Sequence, residues 1–122
     1  MADSYRDLRV WQEAMNLTEQ CYRLVRNLPP DELYGLSSQI RRAAVSIPAN
    51  IAEGYGRAHR REYLQFLSVS QGSLKELETH LLLCERLDLC AAEAVDKILQ
   101  KADQLGRMLG GLQRALQQRV DA

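Results

Sequence analysis

Apolar residues in this chain recur at alternating steps of three and four along nearly its whole length. That rhythm gathers side chains on one face of an α-helix, whereas a strand needs a period of two. The last segment shows it without a break: Val95, Ile98, Ala102, Leu105, Leu109, Leu112 and Leu116. The third carries Tyr63, Leu67, Ser70, Leu74, Leu77, Leu81 and Cys84, and the second Leu33, Leu36, Ile40, Ala43, Ala44, Ile47 and Ile51. In the first, Trp11, Ala14, Thr18, Cys21, Val25 and Leu28 form one stripe, with Val10, Leu17 and Leu24 beside it. Alternating β-branched runs and Asn-Gly hairpin turns, the marks of strands, do not occur.

Local punctuation divides the rhythm into four. Pro29-Pro30 stops the first helix, since proline lacks an N–H and restricts the residue before it. Asp31 and Glu32 follow where a new helix exposes free N–H groups. Pro48 falls inside the second helix, but the apolar period continues past it, which predicts a kink near Pro48. Ser46 or Asn50 is expected to satisfy the groups that bend releases. Gly54 and Gly56 then let the chain reverse into a third helix starting near His59. Helices at about 7–28, 31–54, 59–88 and 91–118 result. Short links between long amphipathic helices give an all-α, antiparallel up-down four-helix bundle, one domain spanning 1–122.

Composition narrows the function classes. The formal net charge is zero, so no global field draws the chain to polyanions. Three cysteines, Cys21, Cys84 and Cys90, without a CxxC, suit reduced thiols better than a disulfide framework. The polar, acidic start is not that of a signal peptide, and no apolar run approaches the ~20 residues of a membrane span. A cytoplasmic protein is expected. His80 and Cys84 share a helix face, but a structural zinc site needs about four ligands, so no metal is expected. Nucleophile elbows, P-loops and dinucleotide fingerprints do not occur, so no cofactor or small-molecule substrate is expected.

Charge is unevenly placed. Five arginines, Arg41, Arg42, Arg57, Arg60 and Arg61, stand against the single Glu53 in the stretch they bound, with His59 among them. Guanidinium forks suit phosphate, and Tyr55 and Tyr63 offer faces for unpaired bases. Those five are the candidate nucleic-acid-binding residues; the competing reading pairs them with acids of the same or another subunit. Glu53 ends a helix where its charge opposes the dipole, so Arg41, Arg42 or Arg57 is expected to compensate it. That makes Glu53 an anchor before a general base. The run "HLLLCERLDLC" is wider than one bundle seam requires. Leu82, Leu83, Leu87 and Leu89 therefore either face a subunit interface or belong to a broad core with a buried loop.

These residues also carry a resemblance. "SSQIRRAAVSIPANIAEGYGR", "EYLQFL" and "GSLKELETHLLLCERL", after an opening "LRVWQEAM", resemble the 23S rRNA intervening-sequence proteins. The shared motif covers Arg41, Ser46, Ile47, Asn50, Ile51, Ala52, Glu53, Gly54, Arg57, Phe66, Leu67, Gly72, Ser73, Glu76 and Leu77, with Pro48 inside it. The resemblance implies a small bacterial four-helix protein, homopentameric, with no catalytic activity attached and its molecular role largely unassigned. It also implies kinship with the accessory protein of diversity-generating retroelements, which binds nucleic acid and a reverse transcriptase. His59 stands where the family has a serine cap, with Glu62 three residues on. "LGGLQ" puts two glycines in the last helix.

The expectation is a non-enzymatic homo-oligomer, a pentamer by resemblance, binding RNA or a ribonucleoprotein through its arginines. The alternative is a protein-interaction scaffold anchored on the leucines. A third reading, an enzyme using Glu53 in a central cavity, is also testable.

Overall fold

The structure is a computed structural model and describes residues 4–32 and 35–121. Four helices account for most of them: α1 (Arg9–Val25), α2 (Leu36–Tyr55), α3 (Arg60–Arg86) and α4 (Ala92–Asp121). Short 3-10 turns cover Tyr5–Asp7 and Pro30–Glu32, and no strand occurs among the described residues. Leu33, expected in the stripe of the second helix, lies outside the described residues.

Neighbouring helices run antiparallel, as their contacts show. Thr18 of α1 reaches Ala44 of α2, and a cleft brings Tyr22 and Val25 to Ser37 and Arg41. Between α2 and α3, Ser46 meets Ser73, Ser70 meets Ile47 and Gly54 abuts Phe66. One number falls as the other rises. Likewise Leu74 of α3 faces Gly106 of α4, whereas Gln71 faces Gly110 and bonds Gln113. The α2–α3 corner therefore shares one end of the bundle with the start of α1 and the end of α4.

The core is the stripe that the rhythm marks. Ile40, Ile47, Ile51, Leu67, Leu74, Leu77, Leu81, Val95 and Leu109 are fully buried. Each such aliphatic side chain contributes about 1.5–3 kcal/mol by leaving water. In α1 Val10, Ala14, Leu17, Cys21, Leu24 and Val25 are buried, as is Leu28 just beyond it, while Trp11 and Thr18 are half-buried at the edge.

Two ends differ from expectation for local reasons. Residues 30–32 form a 3-10 turn and α2 starts only at Leu36, whose N–H donates to Glu32 Oε2 at 3.2 Å. Glu32 thus caps the helix from outside it. At the other end α2 runs through Gly54 to Tyr55, and neither Gly54 nor Gly56 takes a positive φ. Gly54 is needed for a different reason: an added Cβ would lie 2.7 Å from Phe66 Cβ and 2.9 Å from Tyr63 Cδ1. Its missing side chain lets α3 approach.

Candidate nucleic-acid interface

Pro48 leaves the Ala44 carbonyl without its helical N–H partner, because proline has none to give. From across the α1–α2 seam Thr18 Oγ1 lies 3.1 Å from that oxygen and shares its single proton between it and the Ala14 carbonyl of its own helix at 2.8 Å. The expectation that Ser46 or Asn50 would serve there is corrected. Asn50 Nδ2 instead donates to the Ser46 carbonyl at 2.7 Å and to Ser46 Oγ at 3.0 Å. Ser46 Oγ pairs with Ser73 Oγ at 2.8 Å, and buried Ser70 donates to the Ile47 carbonyl at 2.9 Å. Ser46, Ser73 and Ser70 therefore fasten α2 to α3, and Asn50 holds Ser46 from within α2.

Glu53 finds its partner within the corner. Arg57 Nη2 lies 3.0 Å from Glu53 Oε1, one helical turn on. The same guanidinium stands over the Phe66 ring, 4.9 Å from its centroid. Both charged side chains stay about half exposed, at 43% and 54%, so the pair contributes on the order of 0–1 kcal/mol. This geometry anchors a corner and presents no enclosed base. His59 precedes α3 without a side-chain capping bond. Tyr63 OH is buried without a partner among the described residues. Burial, then the nearby Tyr55, pushes its pKa up to about 12.

The five sequence-adjacent arginines do not make one surface. Sixteen residues of chain, most of them helical, separate Arg41 from Arg57, a rise of about 24 Å at 1.5 Å per residue. Arg42, exposed, points about 100° away from half-buried Arg41 around the helix. At the corner, His59, Arg60 and Arg61 line one depression of about 610 Å³ with Ala58, Val120 and Arg119. Among the described residues no carboxylate lines it. Arg119 was not among the sequence candidates, since nothing in a linear reading joins the end of the last helix to the start of the third. Antiparallel pairing of α3 with α4 does so.

The leucines also divide. Leu82, Leu83 and Leu87 are exposed at 48%, 42% and 58%. Leu89, expected beside them, is half-buried and packs on the core. Asp88 takes φ 57, and the Leu89 N–H returns to the Cys84 carbonyl at 2.9 Å. This left-handed cap turns Leu89 under the helix end. Leu83 and Leu87 share a face with exposed Val69 by helical spacing, while Leu82 points about 100° from Leu83. Gly72 belongs to the Val69 face and an added Cβ there would meet nothing within 4 Å. Nothing within the protomer requires glycine at that position.

Cys21, Cys84 and Cys90 are free thiols. Burial pushes Cys21 and Cys84 up to about 12, and Cys90 is raised for the same reason. Among the described residues no three His, Cys, Asp or Glu side chains converge as a metal site would require. His80 Nε2 stands 3.5 Å from Glu76 Oε1, one turn before it. No helix among the described residues is long and apolar enough to cross a membrane.

Comparison with known proteins places this geometry. Residues 6–111 match the model of the family described as 23S rRNA-intervening sequence protein. The chain belongs to this family. A crystal structure of an S23 ribosomal protein family member from Bacteroides thetaiotaomicron, described as of unknown function, superposes with a TM-score of 0.76. At 22% identity, over 84% of this chain and 96% of that one, it supports the intervening-sequence fold alone. Among curated proteins none matches.

Proposed function

We propose that this intervening-sequence family protein is a non-enzymatic oligomeric bundle that binds RNA or a ribonucleoprotein in the cytoplasm. One observation carries the reading: His59, Arg60, Arg61 and Arg119 converge from two elements on a depression that no carboxylate of the described residues lines. The three guanidiniums so placed repel one another and favour a polyanion, and arginine forks fit phosphate. The family's description names 23S rRNA, which makes RNA the first polyanion to test. Arg57 would flank the contact, weakly because Glu53 already holds it, while Arg42 lies too far back along α2 to join it.

Assembly would multiply a weak protomer contact through effective concentration. The α3 face of Val69, Gly72, Leu83 and Leu87 is the surface we assign to neighbouring subunits. Exposed apolar residues lie there beside a mid-helix glycine that costs the protomer up to ~1 kcal/mol. A ring of five rests on the family resemblance alone. Light scattering should give about five times the 13.9 kDa protomer mass, and a 13.9 kDa species at micromolar concentration would overturn assembly. Leu83→Asp with Leu87→Asp should lower the mass.

For RNA binding, ribosomal RNA fragments should bind with log K falling linearly in log salt, and charge reversal at Arg60 and Arg61 should flatten the slope. Affinity indifferent to salt would remove the phosphate mechanism. The exposed leucines also favour a second reading, a protein-interaction scaffold. Protein partners that survive nuclease digestion in a pull-down, with no RNA bound, would select it.

A further inference from the structure

The end of the bundle away from the basic corner holds a cleft of about 300 Å³. Two i,i+4 pairs face each other across it: Tyr22 and Arg26 on the α1 side, Ser37 and Arg41 on α2. Val25 and Leu28, each only 7% exposed, make its apolar floor, and Pro29-Pro30 closes one side. Among the described residues neither Arg26 nor Arg41 has an acidic partner and no carboxylate lines the cleft. Arg41 is half-buried all the same. A shallower depression continues from it along α1 through Thr18 and Met15, sharing Tyr22 and Arg26.

We infer that this cleft binds one unpaired nucleotide, its phosphate held by Arg26 and Arg41 and its base laid against Tyr22 and the proline wall. Two unpaired guanidiniums in one cleft favour a shared anion, and their donor forks match phosphate oxygens. Tyr22 and the prolines offer the flat apolar surface on which a splayed base stacks, whereas a duplex keeps its bases stacked inside. The volume lies at the low end for small-ligand sites, room for one nucleotide and not for a folded partner. The inference rests on the RNA-binding reading but assigns Arg41 a different place and task from the corner arginines. A free mononucleotide and one residue of a strand present the same chemistry, so both are tested.

The experiment measures fluorescence anisotropy of labelled octa-adenylate on the full-length protein, with a same-length RNA duplex, adenosine 5′-monophosphate and inorganic phosphate as competitors. Octa-adenylate should bind in preference to the duplex. Tyr22→Leu should weaken it at least about five-fold, the loss of one base stack. Arg41→Gln should lower the salt slope by about 0.7, one single-strand phosphate contact. Arg107→Gln, whose arginine already pairs with Asp103 at 2.8 Å on α4, should change nothing. Circular dichroism melting confirms that each variant folds. Displacement by the mononucleotide but not by phosphate alone identifies a free-nucleotide site; displacement by neither identifies a strand site. If ribosomal RNA binds and both Tyr22→Leu and Arg41→Gln leave affinity and slope unchanged, the cleft inference is overturned while RNA binding stands. If mononucleotide binds through Arg41 but no RNA binds, the cleft stands and the broader reading fails. A change in oligomer mass on Arg41→Gln with binding intact would also overturn the cleft.

Discussion

Thr18 Oγ1 donates across the α1–α2 seam to Ala44, the residue whose carbonyl Pro48 strips of its helical partner. The proline and its remedy lie on different helices, thirty positions apart in the chain. Thr18→Val keeps the shape and removes the donor. It should cost about 1–3 kcal/mol, the penalty for a half-buried carbonyl left unpaired. In a Pro48→Ala background the restored N–H serves Ala44, so the same change should cost less. Urea denaturation of the four variants forms the double-mutant cycle, and additive effects would refute the coupling.

Gly54 faces Phe66 and Tyr63 where an added methyl would come within 3 Å of both. Alanine gains up to ~1 kcal/mol of helix propensity but overpacks the corner by about 1–3 kcal/mol. Gly54→Ala should therefore destabilise by about 1 kcal/mol net. Chemical denaturation checks the sign, and an unchanged or raised midpoint would show that α3 gives way freely.

Asp88 holds a left-handed φ of 57 at the end of α3. A side chain there costs roughly 1–2 kcal/mol, part of which glycine returns in unfolded-chain entropy. Asp88→Gly should stabilise by about 0.5–1 kcal/mol, seen as a higher melting temperature. A lower one would mean that the aspartate makes a compensating contact.

Alkaline pH should unfold the protein. Burial raises Cys21 from its ordinary 9.0 and Tyr63 from 10.0, each to about 12, and Cys84 rises likewise. Above pH ~9 the unfolded chain releases these protons while the folded chain keeps them, so stability falls as pH rises. The contribution should be complete below pH ~9 and lost by about 12. Denaturation midpoints across that window test it. Cys21→Ser with Cys84→Ser should flatten the fall, whatever the change in absolute stability.

The sequence by itself determined the four helices, the core and the family motif. Ile40, Ile47, Leu74, Leu81 and Leu109 repeat at helical spacing, and burying that stripe leaves few alternatives to a bundle. Tertiary structure alone decided what the polar and glycine positions do. Arg41 and Arg57 look like one cluster on paper because a helix is written as a line; at a rise of about 1.5 Å per residue they stand at opposite ends of the fold. Arg119 joins Arg60 only because α4 returns antiparallel to α3. Gly54 reads as a stop signal but is a contact point, and Leu89, which the sequence leaves between interface and buried loop, is turned under by Asp88. Local rules act over one or two helical turns, whereas these roles depend on which side chain of another helix arrives opposite. That is settled by packing the whole bundle.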